Sequence, residues 1–153
     1  MKKVTLRHLT VACFAAYCVL MVVLLFGRER YDLGLDYWKT VSLNYNFVPF
    51  VTIKKYVGIL IHGRHSLYSH AIINLFGNIL MFVPMGYLIP MIWRSMRKFL
   101  ACFAVCVLVI VTVELIQLFT LVGSCDIDDL ILNLAGISLG FFLFRLPEWL
   151  FKK

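Results

Sequence analysis

The sequence predicts an all-α membrane protein with four transmembrane helices and a short interfacial helix in the first outer loop. The first observation is composition: 62% of the 153 residues are apolar. The mean hydropathy of +0.90 is far above that of an ordinary globular chain. The second observation is that the charged residues, 15% of the chain, lie between four long apolar blocks. Each block can cross a hydrocarbon core of about 30 Å, which requires roughly 20 helical residues. The length fits one domain over residues 1–153.

The four predicted spans are residues 9–26, 71–93, 99–122 and 127–146. A soluble helical protein would carry a polar stripe along each helix, and the first block has almost no polar residues. The basic start of the chain is also typical of a secretory signal. However, the small residues Ala15 and Ala16 come too early for a cleavage site, and more apolar residues follow them. The first block is therefore predicted to be an uncleaved anchor.

The basic residues indicate how the spans are oriented. They are concentrated before the first span, between the second and third spans, and at the C-terminus: Lys2, Lys3, Arg7, Arg94, Arg97, Lys98, Arg145, Lys152 and Lys153. The turn GSCDI between the third and fourth spans contains no Lys or Arg. Because cytoplasmic segments are enriched in these residues, both termini are predicted to be cytoplasmic. The long first loop is also basic, but long loops carry less weight. Topology thus explains the net charge of +7, and no nucleic-acid partner is predicted.

The first loop contains one segment with helical periodicity, at residues 49–61. Helical spacing relates its apolar residues Phe50, Ile53, Val57 and Leu60, with Lys54 and Lys55 on another side. The proline at position 49 suits a first helical turn. The pattern predicts a short helix in the outer membrane interface, with its apolar face toward lipid.

Neither the cysteines nor the histidines form a recognisable metal or redox motif. Four of the five cysteines lie inside predicted spans, where they act as small apolar residues, and Cys125 stands alone near the outer surface. His62, His65 and His70 lie close to the same surface, but their spacing matches no standard metal site. No metal site and no cofactor are therefore predicted.

The fourth span begins with three carboxylates, in the stretch SCDIDDLILN. Asp126 is expected to cap the helix by accepting a hydrogen bond from the backbone N–H of Asp129, and early acidic residues favour the positive helix end. The stripe Asp129, Asn133, Gly136 and Gly140 lies on one helix face. The two glycines form a GxxxG pair, which allows another helix to approach closely. The polar end of this stripe is therefore expected to point into the bundle.

Polar residues of the second and third spans are expected at matching depths. Asn74 and Asn78 are four residues apart, and Glu114 and Gln117 are three apart, so each pair shares a helix face. With a rise of about 1.5 Å per residue, Asn78, Glu114 and Asn133 lie about 9–12 Å below the outer helix ends. A shallower layer contains Asn74, Gln117 and Asp129. These residues and the remaining aspartates are the ligand-binding candidates: Asn74, Asn78, Glu114, Gln117, Asp126, Asp128, Asp129 and Asn133.

The acidic residue in the third span carries the functional interpretation. An acidic residue at the centre of a span costs roughly 2.5–3.5 kcal/mol, and an interhelical hydrogen bond returns only about 0.6 kcal/mol. Glutamine at position 114 would form the same bond without the charge, so hydrogen bonding between helices does not account for an acidic residue there. Ionisable residues inside membranes are functional by default. The alternative to a functional site stays open: a polar core whose side chains only hydrogen-bond to one another.

Four segments of the chain together resemble the VanZ family of small bacterial membrane proteins. They are NFVPF at 46–50, NLFGNILMFVPMGYLIP at 74–90, VELIQLF at 113–119 and DIDDLILNLAGISLG at 126–140. The resemblance covers about residues 44–144, with the motifs in the same order. Many members carry an arginine shortly before the aspartate motif, and LVGSCD here has none. The resemblance implies a place in the bacterial cell membrane, a cell-envelope role and, for some members, low-level tolerance of glycopeptides such as teicoplanin. It implies no reaction chemistry.

Three functions are compatible with these observations. The first is a non-catalytic membrane protein that binds a lipid-linked cell-wall precursor or a lipoglycopeptide in an outward polar pocket, among membrane lipids. The second is an intramembrane enzyme acting on lipid-linked cell-wall material, with Glu114, Asp128 and Asp129 as acid and base. The third is ion or proton transport, which is disfavoured because the cytoplasmic halves of the spans lack matching polar residues. The sequence favours binding.

Overall fold

The computed structural model describes residues 2–27, 30, 34–63 and 65–150. The elements are α1 (Lys2–Phe26), α2 (Tyr37–Leu43), β1 (Tyr45–Asn46), α3 (Val51–His62), α4 (Tyr68–Ile72), α5 (Asn78–Ile92), α6 (Phe99–Thr120), β2 (Cys125–Asp126) and α7 (Ile127–Leu150). A π-helical turn at Ile73–Gly77 joins α4 to α5, and a 3-10 turn at Arg94–Arg97 precedes α6. The predicted all-α class is confirmed.

Among the described residues, four helical stretches are long and apolar enough to cross a membrane. They are Arg7–Phe26, Tyr68–Ile92, Phe99–Thr120 and Ile127–Pro147. They correspond to the four predicted spans, with ends shifted by no more than three residues. Large apolar side chains point outward from them, as at Leu100, Leu108 and Leu80, which are 78%, 68% and 64% exposed. Such a surface suits lipid rather than water, so the chain is a multi-pass membrane protein.

The core lies between the four spans. α5 and α7 form the most extensive helix pair, while α6 packs on α7 and α1 packs on α5. One buried cluster contains Phe82 and Ile89 of α5, Ile137 and Phe141 of α7, and Ile110 of α6. α1 is the least buried of the four spans. The bundle is therefore built around the α5–α7 pair.

Glycines allow α5 and α7 to approach closely. A Cβ atom at Gly136 would meet the backbone carbonyl of Ile79, and one at Gly140 would meet the backbone carbonyl of Val83. From the other side, a Cβ at Gly86 would meet the backbone of α7 at residue 137. The expectation that the GxxxG pair receives another helix is confirmed, and α5 is that helix.

The first loop is attached to the turn between α6 and α7. β1 and β2 form a parallel two-residue ladder that pairs Tyr45 with Cys125 and Asn46 with Asp126. The backbone N–H of Cys125 donates to the carbonyl of Asn44 at 2.9 Å. The end of the bundle built from residues 36–53 and 120–133 is called the carboxylate end below. The opposite end, which carries Arg7, Arg94 and Arg97, is called the basic end.

The predicted helix at residues 49–61 is present, but it begins later. α3 starts at Val51, so Pro49 lies in the turn before the helix and not in its first turn. Phe50 is the N-terminal cap residue, with a left-handed backbone at φ 66°. Lys54 and Lys55 are exposed, as the periodicity predicts. The placement of α3 in a membrane interface stays a prediction.

Candidate functional site

The carboxylate of Asp128 binds the start of α3. Its Oδ1 accepts a hydrogen bond from the backbone N–H of Phe50 at 2.5 Å. Its Oδ2 accepts from the backbone N–H groups of Thr52 at 2.7 Å and Ile53 at 3.0 Å. The side chain is fully buried. N–H groups at the start of a helix lack partners within the helix, and here a carboxylate from α7 supplies them with acceptors.

Asp126 occupies the N-terminal cap of α7 and also contacts the first loop. Its Oδ1 accepts from the backbone N–H of Asp128 at 2.9 Å and from Nδ2 of Asn46 at 3.2 Å. Its Oδ2 accepts from Oγ1 of Thr52 at 2.6 Å. The expectation that Asp126 caps the helix is confirmed, but the donor is Asp128 rather than Asp129. The helix begins at Ile127, so the N–H two residues beyond the cap comes closest.

Asp126 and Asp128 therefore hold α3 and β1 against α7. All four carboxylate oxygens of this pair accept hydrogen bonds. Both side chains are buried. The expected convergence of polar residues is present at these positions, yet the bonds join parts of this chain. Their contribution to any site is to position Phe47 and the start of α3.

Asp129 contacts the second span. Nδ2 of Asn78 donates to Oδ1 of Asp129 at 2.6 Å, which joins α5 to α7. The depth estimate placed Asn78 in the deeper layer and Asp129 in the shallower one. The bond therefore joins residues that the depth estimate assigns to different layers. The residues do converge, as predicted, but in a different pairing.

Gln117 points toward α1. Its Nε2 donates to the backbone carbonyl of Leu25 at 2.9 Å, near the end of α1. The turn after α6 packs on the same side chain, since a Cβ atom at Gly123 would lie 3.2 Å from the Cβ of Gln117. The structure thus gives Gln117 a structural contact that ties α1 to α6 at the carboxylate end.

Glu114 is a buried acid in α6 with one unpaired carboxyl oxygen among the described residues. It is 8% exposed, and its Oε2 accepts no hydrogen bond from the described residues. The group lies within electrostatic range of the carboxylates of Asp129 and Asp126, and it faces the backbone N–H of Asp126. A buried acceptor without a donor costs free energy. It therefore marks a place where a donor from outside the chain would be favoured.

Glu114 borders a small cavity between α6, α7 and the first loop. The cavity has a volume of about 180 Å³. Apolar side chains form most of its wall: Phe47, Val111, Leu115, Ile127 and Leu130. Cys125 and Asp126 also line it. The cavity thus combines two acidic residues, Glu114 and Asp126, with a mainly apolar wall, which suits an amphipathic ligand.

Two asparagines extend the set of acceptors. Oδ1 of Asn133, which is 3% exposed, accepts no hydrogen bond from the described residues, and neither does the buried Oδ1 of Asn74. Asn133 lies one turn beyond Asp129 on α7, and Asn74 lies in the π-helical turn one turn before Asn78. Glu114, Asn74 and Asn133 thus each keep a buried oxygen that accepts no hydrogen bond from the described residues.

Cys125 is the remaining titratable group on the cavity wall. Burial raises the pKa of the Cys125 thiol, and the nearby carboxylates of Glu114 and Asp126 raise it further. A raised pKa keeps the thiol protonated at neutral pH and makes it a poor nucleophile. The arrangement gives no support to cysteine chemistry at this cavity.

The histidines of the first loop are described at two of their three side chains. His62 and His70 are exposed, and the side chain of His65 lies outside the described residues. Within the part of the chain that the structure describes, no group of three or more His, Cys, Asp or Glu residues could hold a metal ion.

The contribution of the first loop to this site does not follow from the pattern of the sequence. Asn46 and Thr52 bind Asp126, and Phe47 lines the cavity. Only the NFVPF motif of the family resemblance pointed to this segment. Its local pattern predicted no contact with α7, because the partners are more than 70 residues apart.

The comparisons with known proteins concern the family alone. The sequence model of the VanZ/LLP1 family matches residues 14–151, nearly the whole chain. None of the curated proteins and none of the solved structures matches. The match includes every residue of the carboxylate end described above.

Proposed function

The chain belongs to the VanZ/LLP1 family, and from this premise we propose that it binds an amphipathic ligand at the carboxylate end in the bacterial cell envelope. The single observation that carries the proposal is Glu114, a buried carboxyl group beside a cavity of about 180 Å³, with an oxygen that accepts no hydrogen bond from any residue the structure describes. The ligand is a lipid-linked cell-wall precursor or a lipoglycopeptide. Binding contributes to tolerance of acylated glycopeptides such as teicoplanin.

The chemistry of the cavity supports this choice of ligand. The acceptor oxygen of Glu114 calls for a ligand group that donates a hydrogen bond: an ammonium, a hydroxyl or an amide N–H. The apolar wall around Phe47 and Leu130 calls for a hydrocarbon or aromatic part. The cavity is small, so it accommodates one part of such a ligand while the rest lies at the membrane surface.

The proposal requires the carboxylate end to face outward, where wall precursors and glycopeptides meet the membrane. The warrant is the arrangement of Lys and Arg around the short turns and termini. A reporter that is active only in the cytoplasm should be active when fused after Lys153. A reporter active only outside should be active when inserted at Ser124. The reverse pattern would contradict both the orientation and an outward site.

Replacing Glu114 by glutamine should abolish the gain in teicoplanin tolerance that the wild-type protein gives to a sensitive Gram-positive host. Glutamine keeps an acceptor oxygen but loses the charge. A hydrogen bond to a charged group contributes about 1.5–3 kcal/mol and a neutral one about 0.5–1.5 kcal/mol, so the affinity should fall roughly 5- to 10-fold. Tolerance is measured as the minimal inhibitory concentration of teicoplanin and of unacylated vancomycin. Binding is measured by native mass spectrometry of the purified protein with each drug. Selective loss of the teicoplanin effect is the expected result.

Asp36→Asn provides the matched control, because it removes one carboxylate from the same end of the bundle. Asp36 is exposed and caps α2 through the N–H of Trp38, and asparagine caps equally well. This variant should behave as wild type in both assays. If the host that expresses the wild-type protein gained equal tolerance to teicoplanin and vancomycin, this would instead indicate a change in the wall precursor. An unchanged phenotype in the well-folded Glu114→Gln variant would overturn the proposed role of the carboxyl group.

The alternative function is an enzyme acting on lipid-linked cell-wall material. The observation in its favour is the proximity of two carboxyl groups in different surroundings. Glu114 has an oxygen without a donor, whereas Asp129 is bonded to Asn78. Asp128 does not suit acid or base chemistry, because three backbone N–H groups occupy its oxygens. Incubation of the purified protein with a lipid-linked precursor, followed by mass spectrometry, separates turnover from binding.

A further inference from the structure

A second cavity lies at the basic end, on the opposite side of the bundle from Glu114. Its volume is about 470 Å³, within the range of small-molecule sites. Arg7 of α1 and Arg94 and Arg97 of the turn before α6 face it, and its apolar wall includes Met91, Ile92 and Phe144. Three helices and one turn thus line the cavity, and α1 and the turn supply its three guanidinium groups.

The cavity carries a large excess of positive charge. None of the described residues that line it is acidic. Within the stretches 7–10, 91–98 and 144–147 around it, the chain contains five Lys or Arg residues and no acidic residue. Charges of one sign in a cleft with low-dielectric walls concentrate counter-ions. The ligand chemistry indicated is therefore anionic.

One of the three arginines is already oriented. Nε of Arg97 donates to the backbone carbonyl of Pro90 at 3.3 Å, and its guanidinium lies 6.0 Å from the ring centroid of Phe144. A guanidinium held in this way loses less conformational entropy when it binds a planar or tetrahedral oxyanion. Arg7 and Arg94 are exposed at the mouth of the cavity. This combination is typical of phosphate recognition.

The apolar wall distinguishes a lipid from a free anion. Met91 and Ile92 lie in the last turn of the second span, so the wall continues into the hydrocarbon layer. Inorganic phosphate would contact the arginines alone. We propose that this cavity binds the phosphate head group of an anionic glycerophospholipid, with an acyl chain lying along Met91, Ile92 and Phe144. Basic pockets between transmembrane helices have this recognition chemistry.

Such a lipid would connect α1 to the rest of the bundle. α1 is the least buried span, and Arg7 belongs to it, whereas Arg94 and Arg97 belong to the turn after α5. A phosphate group shared by these residues would bridge the two parts at the basic end. At the carboxylate end the corresponding link is the bond from Gln117 to Leu25.

The test is native mass spectrometry of the purified protein with phosphatidylglycerol and with phosphatidylcholine. The wild-type protein should retain phosphatidylglycerol in preference to the zwitterionic lipid. The double variant Arg7→Gln, Arg94→Gln should bind phosphatidylglycerol about 25-fold more weakly, because each arginine near an anionic head group contributes roughly a factor of five. Arg97 stays in place, so its contacts with Pro90 and Phe144 are kept.

The double variant Lys54→Gln, Lys55→Gln is the matched control, since it removes two exposed positive charges from α3 at the opposite end. Its retention of phosphatidylglycerol should equal that of the wild type. Equal retention by the arginine double variant would overturn the proposal, as would equal binding of both lipids by the wild type. Inorganic phosphate at millimolar concentration should displace little of the lipid. Complete displacement would show that the ligand is a free anion and would also overturn the proposal.

Discussion

Replacing Gly136 by leucine should prevent α5 and α7 from packing and should leave little folded protein. The added Cβ atom would meet the backbone carbonyl of Ile79, which cannot move without displacing α5. Extra atoms in a packed core cost about 1–3 kcal/mol, and the remaining leucine atoms add to a collision with backbone. The measurement is the yield of monodisperse protein in detergent and its midpoint of thermal unfolding.

Ala135→Leu is the control for this substitution. Ala135 precedes Gly136 on the same helix but is exposed on the outer face of α7. A leucine there enlarges the lipid-facing surface without meeting α5, so yield and unfolding midpoint should stay close to those of the wild type. A Gly136→Leu variant as stable as Ala135→Leu would contradict the close packing of α5 against α7 at this position.

The second large effect is expected from Asp128→Asn. The three donors to Asp128 are backbone N–H groups, which cannot act as acceptors. The amide NH₂ group of asparagine must therefore face at least one N–H group, whichever way it is turned. Lost bonds to a charged acceptor and an unsatisfied buried donor together should cost roughly 2–5 kcal/mol. The start of α3 should detach from α7.

Hydrogen exchange reports this detachment directly. The backbone amides of Phe50, Thr52 and Ile53 should exchange much faster in Asp128→Asn than in the wild type. Amides in the centre of α7 should stay protected, because that helix keeps its packing on α5. Uniform loss of protection throughout the bundle, or no change at residues 50–53, would contradict the assigned role of Asp128.

Asp126→Asn makes the same change in charge only two residues away and should be mild. An asparagine Oδ1 still accepts from the N–H of Asp128 and from Asn46. Its NH₂ group can donate to Thr52, because a hydroxyl oxygen accepts as well as donates. The two variants should differ because the hydroxyl of Thr52 can accept a hydrogen bond, whereas the backbone N–H groups that bind Asp128 can only donate. Equal damage from both substitutions would indicate that charge, rather than hydrogen-bond direction, holds α3.

The parts of the fold that follow from local pattern were predicted from the sequence. The four spans, the helix near residues 49–61 and the contact made by Gly136 and Gly140 are all present. Each depends on residues close together in the chain: an apolar run, a helical period, or two glycines four apart. Hydrophobic periodicity and small-residue spacing report these directly.

The candidate site was predicted in its composition and only partly in its arrangement. Glu114, Asn78 and Asp129 do converge, and the functional interpretation still depends on Glu114. The sequence could not separate Asp128, which binds three backbone N–H groups of the first loop, from Asp129, which binds Asn78. Adjacent residues on a helix face different directions, and what each meets there depends on distant segments.

The sequence by itself determined that the chain crosses the membrane four times and where its charges gather, because hydropathy and helical period are properties of short stretches. Only the tertiary structure decided which acidic residue keeps an unpaired carboxyl oxygen among the described residues. Asp126 and Asp128 are bonded to residues 46–53, over 70 positions earlier. Glu114, beside a cavity, keeps an oxygen that accepts no hydrogen bond from the described residues. The same carboxyl chemistry therefore stabilises the fold at two positions and leaves one acceptor open at the third, since donors from residues 46–53 reach the first two.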